Sequence, residues 1–92
     1  MVAVHSLRRG AAEAIEAIAH GDSENSKVVG KTVEQVKLPQ GTTIGAIIRG
    51  EEVIMAHHDI KIENEDHVIL FLLDKSKFNA VEKLFQVAVS FF

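Results

Sequence analysis

Val68–Leu73, inside "HVILFLL", is the longest apolar run of the chain, at six residues. A membrane-spanning helix needs about 20 such residues, so the run cannot cross a bilayer. It is short enough to be one buried strand, with polar residues on both flanks. The rest of the chain has to supply the sheet around it.

The best partner signal is "TTIGAIIRGEEVIMAHH". Two runs rich in Ile and Val flank Arg49-Gly50-Glu51-Glu52, with Gly50 as the permissive turn residue. "VAVHSL" alternates apolar and polar residues and reads as a short strand, followed by a turn at "RRG". "AAEAIEAIAH" is ambiguous: Ala and Glu favour helix, and Ala11, Ile15 and Ile18 fit one helical face. "DSENSK" is a polar loop. "TVEQVKLP" reads as a single helical turn, capped by Thr32 with Gln35 three positions on and ended by Pro39; Val33, Val36 and Leu38 are expected to face inward. "IKI" is a short extended piece before a polar turn at Glu63–Glu65. The chain closes with a helix over about 75–86, capped by Asp74 or Ser76, with Phe78, Val81, Leu84 and Phe85 on one face. The fold class is a small α+β domain: a mixed or antiparallel sheet built from hairpins, one short helical turn after Gly30, and the C-terminal helix.

Ninety-two residues make one domain. Such a chain buries roughly 60–65% of its unfolded surface, so a large ligand site is expected on a surface or between subunits. The net charge of −3 and the lack of basic clusters beyond Arg8–Arg9 argue against a nucleic-acid partner. With no cysteine there is no disulfide, thiolate metal site or cysteine nucleophile, and no signal-peptide pattern is present. The chain is expected to be cytoplasmic.

The chemical candidates are weak. His57 and His58 are adjacent, and on a strand neighbouring side chains point to opposite faces, so they are not expected to share a metal ion. Glu63, Glu65 and Asp66 read as a solvated turn rather than a catalytic carboxylate pair. Gly30-Lys31-Thr32 looks like the end of a phosphate-binding loop, but Asn25 stands where the upstream glycine belongs. No catalytic, cofactor or metal residue is assigned, and the chain is not expected to be an enzyme.

From Ser26 onward the order of motifs resembles the C-terminal domain of RCK proteins, the TrkA-C domain. The residues carrying it are "SKVVGKTVEQVKLPQG", "IGAIIRGEEVIMA", "IENEDHVILFL" and "KSKFNAVEKLF". The resemblance implies a regulatory domain, a fragment of a longer protein, that controls a membrane potassium transporter from the cytoplasmic face. It implies that NAD(H) or ATP binds to Rossmann domains elsewhere in that longer protein, so no cofactor is expected in this fragment. It also implies a strand at residues 11–20, against local propensity. One position departs from the family: Glu65 stands where relatives carry glycine before Asp66. Asn64 tolerates a left-handed backbone better than Glu, so a turn shifted by one residue is a natural expectation.

In relatives the central hairpin lies near a subunit contact where some members bind cyclic di-AMP. The corresponding residues here are Ile47, Ile48, Arg49, Ala56 and His57, giving a candidate ligand site or dimer interface. Arg49 suits a phosphate and Ile47 a base. A second candidate dimer contact is the uncharged tail, with Val87, Val89, Phe91 and Phe92. A homodimer is expected. Residue chemistry alone leaves open a stand-alone small-molecule-binding or dimerisation module unrelated to potassium.

Overall fold

The computed structural model describes the backbone of residues 2–6 and the full structure of residues 13–86. Among these residues the elements are β1 (Val2–Ser6), β2 (Glu13–Ile18), β3 (Thr42–Arg49), β4 (Glu52–Met55), β5 (His67–Leu72) and α1 (Phe78–Leu84), with 3-10 turns at Val33–Gln35 and Lys75–Lys77. The five strands form one sheet in the order β1-β2-β5-β3-β4. Every pairing is antiparallel. The apolar run therefore becomes β5, a central strand with neighbours on both sides.

The segment at 11–20 is a strand where it is described, and helix propensity loses. Its sequence satisfies a period of two: Ile15, Ala17 and Ala19 are buried, while Ala14, Glu16 and Ile18 sit on the other side. Pairing with β1 and β5 on its two edges supplies the tertiary context that overrides the preference.

Between β3 and β4 the chain reverses in two residues, with Gly50 at φ +62° in the position a type II′ turn reserves for glycine. β4 ends at Met55, so His57 and His58 lie beyond it, in a loop where the Ile60 N–H reaches the His57 carbonyl at 3.1 Å. Strand alternation therefore does not govern these two histidines. "IKI" contributes an isolated bridge, Thr32 to Lys61, and the fully buried Ile62.

The expected helical turn is the 3-10 turn at Val33–Gln35. Gln35 Oε1 accepts from the Thr32 N–H at 3.0 Å. Val36 is buried, and Val33 and Leu38 pack against the core. The C-terminal helix starts as a 3-10 turn in which Asp74 accepts from the Ser76 N–H at 2.9 Å, then continues as α1. Val81 and Phe85 are buried, with Phe78 and Leu84 half-buried beside them.

All of this covering material lies on one side of the sheet. Ile15, Ala17, Ile44, Ile47, Val68, Leu70 and Leu72 point into a core closed by Val28, Val36, Ile62, Val81 and Phe85. The domain thus has two layers, and the second face of the sheet carries no layer of its own among the described residues.

Candidate functional site

The strand register fixes what that second face presents. One row across the sheet is Met55–Ala46–Ile69–Glu16, the next is Val53–Ile48–His67–Ile18, and a third holds Thr43, Phe71 and Ala14. Val53 and Met55 are each 65% exposed, Phe71 is 41% exposed, and Leu73 just past β5 is 73% exposed. Isolated exposed apolar residues are normal, but a contiguous patch beyond roughly a few hundred Å² marks an interaction surface.

Two local devices shape this face. A β-bulge between Ile44 and Ala46 places Gly45 under the Phe71 ring: a Cβ at Gly45 would stand 2.3 Å from Phe71 Cε2. Glycine lets the ring lie down over the backbone, which flattens the face. Second, His67 Nδ1 and Glu16 Oε2 are 2.5 Å apart across β5 and β2. The pair satisfies the carboxylate within an otherwise apolar surface.

At the end of β3 the backbone turns the next side chain to the core side, and there Arg49 organises a polar cluster. Its Nε and Nη2 donate to Asp66 Oδ1 and Oδ2 at 2.9 and 2.8 Å, and Nη2 also donates to the Lys61 carbonyl at 3.0 Å. Nη1 lies 3.0 Å from Glu63 Oε2. Donating to Asp66 raises the Arg49 pKa above its ordinary value, against the opposing effect of partial burial.

Asp66 corrects the reading of a solvated turn. Glu63 and Glu65 are exposed, but Asp66 is only 1% exposed. Its Oδ2 also accepts from the Glu63 N–H at 2.8 Å, and its carbonyl accepts from the Ala19 N–H at 2.8 Å. The left-handed residue of this turn is Glu65 itself, at φ +72°, so the expected shift to Asn64 does not occur. The Glu65 N–H is tied to the Ala19 carbonyl at 2.7 Å, and its side chain meets His20 Nδ1 at 3.1 Å. Asn64 serves elsewhere, accepting from the Gly21 N–H at 2.9 Å.

The five hairpin residues singled out from the sequence do not converge. Ile47 is fully buried in the core, whereas Ile48 lies on the open face. Arg49 is committed to Asp66 and Glu63, so an incoming phosphate competes with two carboxylates. Ala56 packs at the core's edge and His57 is exposed beyond β4. The tail residues Val87, Val89, Phe91 and Phe92 lie outside the described residues. Among the described residues no group of three potential ligands is placed to hold a metal ion, and His58 Nδ1 faces Glu34 Oε2 at 3.0 Å.

The residues missed by sequence reasoning are Val53, Met55, Ile69 and Phe71. In "HVILFLL" both parities are apolar, which hides that one side of β5 is uncovered. A usable signal exists: one short helix can cover only one face of a five-stranded sheet.

Comparison with known proteins places this architecture. The model of the TrkA-C domain matches residues 23–86. The chain belongs to the TrkA-C domain family. It is 62% identical over 92 residues to a protein of Halomonas elongata named Trk system potassium uptake protein TrkA, matching 100% of this chain and 20% of that one. The protein of the same name from Vibrio alginolyticus is 62% identical over 86 residues, covering 94% of this chain and 19% of the relative. That of Haemophilus influenzae is 44% identical over 88 residues, covering 96% and 19%. The chain thus spans about one-fifth of the length of these curated relatives. Among the described residues no helix of this TrkA-C domain is long and apolar enough to cross a membrane.

Proposed function

We propose that this TrkA-C domain is a non-catalytic assembly module of a potassium-uptake regulatory protein, and that it works by pairing with a second copy through its open sheet face. The observation that carries this reading is the two-layer architecture: one face sealed by α1 and the loops, the other presenting Val53, Met55, Ile69 and Phe71. A self-complementary apolar face is most simply closed by twofold symmetry. The potassium connection rests on relatives named for potassium uptake that match nearly the whole chain. In this reading the domain sits on the cytoplasmic side, peripheral to a membrane transporter. NAD(H) or ATP binds other parts of the longer protein, and a small ligand at the subunit contact would meet Ile48 and His57 before the committed Arg49.

The test is potassium-dependent growth of cells whose longer, natural protein carries Phe71→Lys together with Met55→Lys. Growth at limiting potassium should fail while protein level is unchanged. Normal growth, or equal loss in a Lys75→Glu, Lys77→Glu control, would remove the open face from the function.

A further inference from the structure

On the covered side of the sheet, remote from the open face, lies a cavity of about 430 Å³ lined by Lys27, Lys31, Lys37 and Leu84. The volume falls within the roughly 300–1,000 Å³ of small-molecule sites. The three lysines come from one stretch of chain: Lys27 in the loop after β2, Lys31 just before Thr32, and Lys37 two residues past the 3-10 turn. The chain carries net charge −3, so three cations around one cavity run against its overall balance.

None of the three ammonium groups has a carboxylate partner among the described residues. Glu34, three positions from both Lys31 and Lys37, faces His58 instead. Cationic side chains that line one cavity without carboxylate partners leave a local positive potential that a bound anion neutralises. The backbone narrows the mode of binding. The Gly30, Lys31 and Thr32 N–H groups are already donated, to the Ile62 carbonyl, the Val28 carbonyl and Gln35 Oε1. The Gly-Lys-Thr stretch therefore forms no amide cradle, and recognition falls to the lysine side chains, with Leu84 as an apolar wall.

We propose that this cavity binds a compact phosphate polyanion. Three ammonium point charges suit a di- or triphosphate, whose charge is spread over several oxygens, better than a single monovalent anion. The Rossmann mode of holding a pyrophosphate needs a glycine-rich turn that these residues lack. Occupancy would bridge the loop at residues 27–37 to α1, and so tie two parts of the covering layer together.

The test is an amide chemical-shift titration of the 92-residue chain at low salt with sodium tripolyphosphate, pyrophosphate, inorganic phosphate and citrate. Saturable shifts should centre on residues 26–37 and 82–86, and affinity should rank tripolyphosphate above pyrophosphate above phosphate. The triple variant Lys27→Gln, Lys31→Gln, Lys37→Gln should lose roughly tenfold or more in affinity, since each charged hydrogen bond contributes about as much. These lysines are exposed or half-buried, so the variant should keep the wild-type spectrum elsewhere. The control Lys75→Gln, Lys77→Gln should bind as the wild type does. Non-saturable shifts, equal loss in the control, or unchanged affinity in the triple variant would overturn the site. Citrate binding as tightly as tripolyphosphate would overturn the phosphate assignment.

Discussion

Arg49→Met isolates the polar cluster behind the hairpin. Asp66 is 1% exposed, and its carboxylate accepts three hydrogen bonds, two of them from Arg49. The substitution keeps most of the aliphatic stem but leaves a buried carboxylate with only the Glu63 N–H. Removing one partner of a buried pair costs about 3–5 kcal/mol. A domain of this size is stable by about 5–14 kcal/mol, so the loss is a large share of the total. Glu63→Gln touches the same guanidinium but should cost only about 0–1 kcal/mol, because Glu63 is exposed and the pair is screened. Arg49→Met combined with Asp66→Leu removes both charges and should be less destabilised than Arg49→Met alone, with a coupling of roughly 1–3 kcal/mol. Urea unfolding followed by circular dichroism, at one protein concentration throughout, measures the wild type, these three variants and the Asp66→Leu single variant that closes the cycle. An Arg49→Met loss below about 1 kcal/mol, or strictly additive effects, would refute the argument that Asp66 depends on Arg49.

Glu65→Gly relieves a left-handed backbone that costs a non-glycine residue about 1–2 kcal/mol, and gives up only an exposed His20 contact; thermal unfolding should rise, whereas Glu65→Val should lower it. Gly45→Ala should displace the Phe71 ring, which ring-proton shifts will report, with a modest loss of stability. Asp74 should titrate below the ordinary carboxylate range, held there first by the Ser76 hydroxyl, then by the Ser76 N–H, with the charge of Lys77 adding to it. Its pKa is depressed in the fold, so its contribution is present above the unfolded-state pKa and lost as pH falls through the folded one. In Ser76→Ala the Asp74 titration, followed by NMR, should move up toward its ordinary value.

Most elements were legible because their signals are local. Gly50 between two β-rich runs marks a hairpin, Asp74 marks a helix start, and Pro39 marks a stop. The strand at Glu13–Ile18 was legible only through family resemblance, since alanine and glutamate carry helix propensity and the deciding pairings lie with distant strands. Asp66 was misread because burial of a carboxylate depends on Arg49, 17 positions away. Glu65 was misread because the turn is pinned by Ala19, just past the neighbouring strand β2, and this outweighs the residue's own backbone preference. The open face was hidden in a strand apolar on both sides.

Sedimentation equilibrium of the 92-residue chain at roughly tens of micromolar, conditions under which a specific apolar interface should form, tests the assembly claim most directly. The expected mass is near twice the 10.1 kDa of one chain. Met55→Lys with Phe71→Lys should return the mass to that of a folded monomer, and deleting Val87–Phe92 should leave the dimer intact. A wild-type mass near 10.1 kDa would contradict the claim, as would a dimer that survives both lysines.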